Sequence, residues 1–119
     1  MCIRDSYNIY GGQQDNTSIK ISSRSVGGYA ITQSNWEASA GGESAFLAFD
    51  PDNPRYVMGG SYLGTIEVLD TEAKAGTKIM AAPHQYLGEE ARNMKYLYNW
   101  NAPIIWSKHE PGTFYHGAQ

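Results

Sequence analysis

The 119-residue sequence contains a single cysteine, Cys2, no long apolar run and no cluster of basic residues. Because one cysteine cannot close an internal disulfide or build a zinc framework, we expect neither. No apolar stretch approaches the roughly 18 residues of a membrane-spanning helix. The net charge is −3, with 9 Lys and Arg against 12 Asp and Glu, so we expect no nucleic-acid partner.

Familiar catalytic motifs are also missing. There is no Gly-x-Ser-x-Gly nucleophile elbow, and neither of the two Gly-Gly pairs that end a strand is followed by the Lys-Ser/Thr pair of a phosphate-binding loop. The three histidines, His84, His109 and His116, show no His-x-His or His-x₃-His spacing. We therefore expect no metal and no cofactor.

What the sequence does contain is a repeated strand that ends in glycine. Residues 8–12 (NIYGG) are echoed by residues 56–60 (YVMGG) and, more loosely, by residues 113–117 (TFYHG). Residues 45–54, which precede the second copy, align without a gap with residues 102–111, which precede the third. The copies are about 48 and 57 residues apart, close to the length of a propeller blade. Units of this size bury their apolar faces only by stacking on one another.

The residue pattern predicts an all-β fold of short antiparallel strands. Ile19 and Ile21, for example, alternate with polar residues, as in a half-buried strand. The predicted strands are residues 7–12, 18–22, 44–49, 55–59, 65–69, 77–80, 101–106 and 113–117. Residues 24–42 are rich in Gly and Ser and predict a long loop with one turn near residues 34–37. A helical turn is expected within residues 89–97.

Together these elements predict a fragment of a β-propeller, about two blades of four-stranded antiparallel meanders with strands A to D. Residues 1–6 resemble a translated sequencing adapter and are expected to be non-native. Residues 7–43 are predicted to form strands B to D of one blade, residues 44–82 a complete blade, and residues 83–119 a crossover and the first strands of the next. Both ends are predicted to be cut, so the remaining blades of the parent chain are expected partners.

Strand direction reverses at every hairpin of a meander, so the loops divide between two surfaces. The B–C turns and the D–A crossovers emerge together on one, which we call the upper loop surface: residues 13–16, 36–43, 61–62 and 99–101. The A–B and C–D turns emerge on the other, the lower loop surface: residues 50–53, 70–76 and 107–112. Amide, carboxylate and aromatic side chains concentrate on the upper loop surface, whereas turn-forming residues dominate the lower one.

The composition of the upper loop surface suits a sugar or a peptide ligand. Amides and carboxylates hydrogen-bond to hydroxyl groups, while Trp and Tyr offer flat apolar platforms with one polar atom. The predicted ligand-binding residues are Gln14, Asp15, Asn16, Trp36, Tyr62, Asn99, Trp100 and Asn101.

For the main candidate site residues, a functional role and a structural role both stay open. Asp15 and Glu43 are candidate paired carboxylates for general acid and base catalysis on a glycoside. In the alternative, Asp15 caps its own turn and Glu43 lies at the solvated start of a strand. Trp100 is either a ligand platform or a side chain that packs between blades.

Three motifs, in this order, resemble the blades of sortilin (VPS10)-like propellers within the wider BNR or Asp-box repeat group. They are residues 9–16 (IYGGQQDN), residues 50–54 (DPDNP) and residues 98–104 (YNWNAPI), the last followed by Ser107 and Pro111. The resemblance covers residues 7–119. One departure is the Asp box, Ser-x-Asp-x-Gly-x-Thr-Trp, which belongs in a C–D hairpin and which residues 70–77 match only vaguely.

The resemblance implies a secreted protein, extracellular or periplasmic, whose intact form binds a polysaccharide. Proteins of this group are often labelled glycosyl hydrolase, so hydrolysis of that polysaccharide is an open additional activity. No catalytic residue of a glycosidase is carried over onto this sequence. The alternatives are a non-enzymatic module that binds peptides or proteins, as sortilin-like domains do, and a purely structural propeller.

Overall fold

The computed structural model describes residues 8–25, 28–43, 46–82, 84 and 86–119. The strands are β1 (Asn8–Gly12), β2 (Ser18–Ser22), β3 (Trp36–Ala38), β4 (Leu47–Phe49), β5 (Tyr56–Gly60), β6 (Ile66–Asp70), β7 (Ala75–Ile79), β8 (Ile104–Trp106) and β9 (Phe114–His116). Short 3₁₀ turns lie at Gln33–Asn35, Tyr62–Gly64 and Ala91–Asn93. The predicted all-β class is confirmed for the described part of the chain. The expectation for residues 1–6 lies outside the described residues.

The described strands form three separate antiparallel sheets, which we name in chain order. Sheet A contains β1, β2 and β3, sheet B contains β4 to β7, and sheet C contains β8 and β9. Neighbours in every sheet are consecutive in the chain and antiparallel. Sheet B is thus the four-stranded meander that the sequence predicts, and within the described residues none of the three sheets closes on itself.

Sheet A contains one strand that the sequence analysis places in a loop. β2 has the predicted bounds, with Ile19 and Ile21 on one side of the sheet. β3 pairs with β2 and brings Trp36 opposite Ile21. The loop prediction is wrong at these three residues, because so short a strand shows no periodicity and the surrounding Gly and Ser favour a loop. The turn predicted near residues 34–37 is the 3₁₀ turn at Gln33–Asn35, which leads directly into β3.

Turn chemistry explains where the strands of sheet B end. The carbonyl of Asp50 accepts the Asn53 N–H at 3.1 Å, and its carboxylate accepts the Asp52 N–H at 2.9 Å, which closes the β4–β5 turn. In the β6–β7 hairpin, Oδ1 of Asp70 accepts the N–H groups of residues 72 and 73 at 3.0 and 3.1 Å. Both aspartates therefore satisfy turn N–H groups with their own side chains.

Arg55 ties two of these turns together on the lower loop surface. Its guanidinium donates to both carboxylate oxygens of Asp70, at 3.0 and 2.7 Å, and its Nη1 lies 3.0 Å from Glu72. The bond from Arg55, together with the turn N–H groups, holds the pKa of Asp70 down at about 2. Asp70 thus braces the β6–β7 hairpin through its turn and its ion pair.

The main apolar core lies between sheets B and C. Ala48, Met58 and Ile66 come from three neighbouring strands, point to the same side of sheet B and are buried together with Ile104 of sheet C. Partly buried residues complete the cluster: Val68, Ile79, Trp106 and Phe114. Full burial of a side chain such as Ile66 stabilises the fold by about 1.5–3 kcal/mol.

Sheet A packs on the opposite side of sheet B. The rings of Tyr10 and Phe49 lie 5.5 Å apart, between β1 and β4. The loop after β3 continues this contact, because the N–H of Gly41 donates to the carboxylate of Glu67 at 2.9 Å. Sheet B is therefore covered on both sides, by sheet A on one and by sheet C on the other.

The glycine that ends the second repeat is required by a close backbone approach. A Cβ at Gly59 would lie 2.1 Å from the carbonyl oxygen of Ala40. Next to it, the N–H of Gly42 donates to the carbonyl of Gly60 at 3.1 Å. A close backbone approach thus explains the glycine at this copy. At Gly11, the same position of the first repeat, a Cβ would meet no described atom within 4 Å.

Candidate functional site

Loops from all three sheets meet on the upper loop surface. Gln14 and Asp15 lie in the β1–β2 turn, Glu43 in the crossover from sheet A to sheet B, Tyr62 in the β5–β6 turn and Trp100 in the crossover to sheet C. We call these five residues the Gln14 cluster. Gln14 and Trp100 are 86 positions apart in the chain and are in direct contact. Hairpin parity predicts this convergence, and the structure brings the five side chains together.

The side-chain amide of Gln14 joins the three sheets. Its Nε2 donates to the carboxylate of Glu43 at 3.0 Å and to Oδ1 of Asp15 at 3.2 Å. Its Oε1 accepts the indole N–H of Trp100 at 2.7 Å. Since an amide nitrogen only donates and an amide oxygen only accepts, these partners fix the orientation of the group. One side chain thus couples the position of Trp100 to the positions of both carboxylates.

The two candidate carboxylates lie side by side. Oδ1 of Asp15 and Oε2 of Glu43 are both within 3.2 Å of the same Gln14 nitrogen. They are therefore no more than about 6 Å apart, an upper limit that allows the roughly 5–5.5 Å of the carboxyl pair in a retaining glycosidase. Oε2 of Glu43 also accepts the main-chain N–H of Asp15 at 2.8 Å. Asp15 has a left-handed backbone, with φ +60, so Glu43 also braces a strained turn.

Trp100 and Tyr62 form an aromatic platform beside these carboxylates. Their ring centroids are 5.2 Å apart and their planes are inclined by 15°, a stacked arrangement. Trp100 is 53% exposed, so it is not buried between sheets. It is flanked in the chain by the exposed amides of Asn99 and Asn101. A fixed, half-exposed indole therefore presents an apolar surface to solvent among polar groups.

The crossover that carries Trp100 is anchored two residues earlier, at Tyr98. The ring of Tyr98 stacks on His116, with centroids 4.7 Å apart and planes inclined by 24°. The same ring lies so close to Gly64 that a Cβ there would be 2.4 Å from it. Burial raises the pKa of the Tyr98 phenol, and the neighbouring tyrosines raise it further. Tyr98 thus holds the crossover against both the β5–β6 turn, which carries Tyr62, and sheet C.

His116 makes the stability of this support dependent on pH. Its Nδ1 is buried and meets no hydrogen-bond partner among the described residues, and burial lowers the pKa of its imidazole below the usual value of 6.5. The unfolded chain therefore takes up this proton at a higher pH than the folded chain. Stability is complete above the unfolded pKa and is lost as the pH falls below it, so the thermal midpoint should decrease between about pH 7.5 and pH 5.5.

A His116→Phe variant isolates this effect, because phenylalanine keeps a ring against Tyr98 and does not titrate. We expect its thermal midpoint, measured by circular dichroism, to change less over the same pH range than that of the wild type. Asp70 does not interfere, since its contribution to stability is lost only as the pH falls through its unfolded pKa of 3.8 towards its folded pKa of about 2. Equal pH dependence in both proteins would contradict the role given to His116.

Two other predicted ligand-binding residues occupy different places. Trp36 is in β3 opposite Ile21, at the end of sheet A away from the β1–β2 turn, and it lies outside the Gln14 cluster. Asn16 is in the β1–β2 turn, where its Oδ1 accepts the N–H of Thr17 at 3.1 Å and so supports the turn itself.

Two supporting residues were not predicted as part of the site. Tyr98 and Gly64 contact each other, and this contact fixes the crossover and the turn that carry the aromatic platform. A positive φ at Gly64, +74 in the structure, is a common requirement of a glycine in a tight turn. The turn was therefore predictable, whereas its contact with Tyr98 depends on how the sheets pack.

Within the described ranges, no group of three or more His, Cys, Asp or Glu side chains is placed to hold a metal ion. The part of the chain that the structure describes also contains no helix long and apolar enough to cross a membrane. Comparison of the chain with protein-family models, with curated proteins and with solved structures found no match.

Proposed function

We propose that this chain is part of a sortilin-like, BNR-type propeller protein of the extracellular or periplasmic space, and that its upper loop surface binds a polysaccharide. The Gln14 cluster is the observation that carries the proposal, since it holds an exposed indole beside two carboxylates. The propeller assignment is supported by the order of the three sequence motifs. The β4–β7 meander and the face-to-face packing of the sheets are compatible with it.

A sugar ring matches this arrangement chemically. One side of a pyranose presents C–H groups that pack on an indole, and its hydroxyl groups pair with carboxylate and amide groups. Trp100 would supply the platform, Asp15 and Glu43 the acceptors, and Asn99 and Asn101 further donors and acceptors. Because Trp100 is exposed rather than enclosed, an extended polysaccharide suits the surface better than a single buried sugar.

Binding is the better supported part of this proposal, compared with hydrolysis. A general acid must deliver a proton to the glycosidic oxygen. Oε2 of Glu43 instead accepts two hydrogen bonds and Oδ1 of Asp15 accepts one. Both carboxylates thus act as hydrogen-bond acceptors. Glu43, rather than Asp15 as the structural alternative has it, accepts the main-chain N–H of the β1–β2 turn.

Replacing Trp100 with alanine is expected to weaken polysaccharide binding about tenfold or more, a loss of about 1.4 kcal/mol. The change removes the aromatic platform and also the hydrogen bond that fixes Gln14. Affinity electrophoresis of dilute protein, in gels that contain a soluble polysaccharide such as xyloglucan, measures the effect as reduced retardation. Trp36→Ala is the matched control, because Trp36 is 50% exposed against 53% for Trp100 and lies outside the cluster.

The control variant should be retarded like the wild type. No retardation of the wild type across a panel of polysaccharides would sink the proposal, and so would an equal loss in both tryptophan variants. Capture of the chain by an immobilised peptide library, without any polysaccharide binding, would favour the peptide-binding alternative. Release of reducing ends in the same samples would show hydrolysis.

A further inference from the structure

The repeated strand fixes which side of each sheet its residues face. Successive residues of a strand point to opposite sides. Each copy of the repeat has five residues, and we call the side of the sheet to which the second of them points the front face. The front face carries Ile9 in sheet A, Val57 in sheet B and Phe114 in sheet C. We call the side of the third repeat residue the back face; it carries Tyr10, Met58 and Tyr115.

The same two faces meet at both sheet-to-sheet contacts inside the chain. The back face of sheet A covers the front face of sheet B, where Tyr10 contacts Phe49. The back face of sheet B covers the front face of sheet C, where Met58 is buried in one cluster with Ile104. The sheets therefore stack in one direction, always back face to front face. Among the described residues, this order leaves the front face of sheet A and the back face of sheet C uncovered.

The front face of sheet A is apolar and exposed. Ile9 is 59% exposed and Trp36 is 50% exposed, and each pairs with Ile21 across the sheet. These residues line an open groove of about 480 Å³. Val57 occupies the position of Ile9 in the next repeat and is 0% exposed, because sheet A covers it. A position that is fully buried in sheet B is thus open in sheet A.

The back face of sheet C shows the same contrast. Ile105 and Tyr115 lie directly opposite each other and are 63% and 57% exposed. The equivalent residues of sheet B, Ala48 and Met58, are 7% and 4% exposed beneath sheet C. At both ends of the stack, therefore, repeat positions that are buried in sheet B are exposed to solvent.

We propose that, in the 119-residue chain on its own, the front face of sheet A and the back face of sheet C dock onto each other in separate copies, which associate head to tail. A second copy then takes the place that further blades of a longer propeller would occupy. The occupant of each face is a second copy of the chain. Continuity supports this, because a contact from sheet C to sheet A repeats the two interfaces already present. Neither exposed face carries a charged strand residue, whereas the covered back face of sheet A carries the Lys20–Glu37 ion pair.

A contact of this kind is heterologous, so it closes into a ring or extends into a filament. It is independent of polysaccharide binding, because Trp36 and Ile105 lie outside the Gln14 cluster. Large apolar patches on a surface are typical of interaction sites. The weight-average mass of the wild type should therefore rise with protein concentration beyond twice the monomer mass.

Two lysine variants test the direction of the contact. Trp36→Lys blocks the front face of sheet A, and Ile105→Lys blocks the back face of sheet C. Both side chains are at least half exposed, so the monomer fold should tolerate the changes, which a circular dichroism melt checks. Each variant alone is expected to self-associate about tenfold more weakly or worse in sedimentation velocity. An equimolar mixture should form a one-to-one complex and nothing larger, since one intact face remains on each partner.

Leu87→Lys is the matched control. Leu87 is 64% exposed, close to Ile105 at 63%, but lies in the crossover before sheet C and on neither face. It should associate like the wild type. A wild type that stays monomeric at high concentration would overturn the proposal, as would a mixture of the two blocked variants that forms no complex. Dimers of Ile105→Lys alone would also overturn it, because they would show that the front faces pair with themselves.

Discussion

Replacing Gly59 with alanine is expected to cost about 3 kcal/mol or more of folding free energy, a value at the upper end for overpacking. The new Cβ would lie 2.1 Å from the carbonyl oxygen of Ala40 and 2.6 Å from the main-chain nitrogen of Gly41. Both are backbone atoms, so no side-chain rotation relieves the overlap. The loop that joins sheet A to sheet B would have to move away from β5. A cost of about 3 kcal/mol is a large fraction of the roughly 5–15 kcal/mol that stabilises a typical domain.

Gly11→Ala is the matched control, because Gly11 and Gly59 occupy the same position of the repeat. A Cβ at Gly11 meets no described atom within 4 Å. Alanine in a strand also loses less conformational entropy on folding than glycine, so the change should be neutral or stabilising by about 0.5 kcal/mol. Urea unfolding of dilute, monomeric protein gives both values. Equal midpoints for the two variants would contradict the close approach at Gly59.

Much of the fold was predictable from local chemistry. The alternation of Ile19 and Ile21 predicts β2 with its observed bounds, and the aspartate turns at residues 50 and 70 predict two hairpins of sheet B. A third strand is predicted within residues 7–43, but the position of β3 is not, because three residues give no periodic signal. Among the described residues β3 is held by its pairing with β2, and this pairing depends on how the preceding segment folds back. Such a strand is decided by tertiary contacts rather than by its own sequence.

The candidate site, too, is predictable in part from the sequence and in part only from how the sheets pack. Reversal of strand direction at each hairpin is a topological rule, so it correctly brings the β1–β2 turn, Glu43, Tyr62 and Trp100 to one surface. It does not specify distances between sheets. The bonds from Gln14 to Glu43 and Trp100 depend on those distances, and so does the contact between Tyr98 and Gly64. The loop predicted for residues 24–42 places Trp36 near the site, whereas its pairing in β3 places it at the end of sheet A away from the β1–β2 turn.

The aromatic platform therefore depends on packing beneath it as much as on its own residues. Tyr62 belongs to the 3₁₀ turn that also contains Gly64. Trp100 follows Tyr98 by two residues on the crossover. The contact between Gly64 and Tyr98 thus sets the distance between the β5–β6 turn and the crossover, and with it the distance between the stacked rings of Tyr62 and Trp100. A change at Gly64 tests this relation without touching either ring.

Gly64→Ala is expected to destabilise the chain by about 2–4 kcal/mol. Two costs add: roughly 1 kcal/mol for a Cβ in the left-handed region, and about 1–3 kcal/mol for overlap with the Tyr98 ring. The ring cannot swing away easily, because it is already stacked on His116. The crossover should shift instead, so the near-ultraviolet circular dichroism of the stacked Tyr62 and Trp100 should weaken in the folded variant, together with polysaccharide binding.

Gly112→Ala separates the two costs. Gly112 has φ +72 against +74 for Gly64, and a Cβ there meets no described atom within 4 Å. It should therefore lose only the backbone contribution, about 1 kcal/mol, and keep the aromatic signal of the wild type. The difference between the two variants in urea unfolding measures the contact with Tyr98 alone. If both variants lose the same free energy, or if Gly64→Ala keeps the aromatic signal, Tyr98 does not position Trp100, and the platform is held by Gln14 and the Tyr62 stack alone.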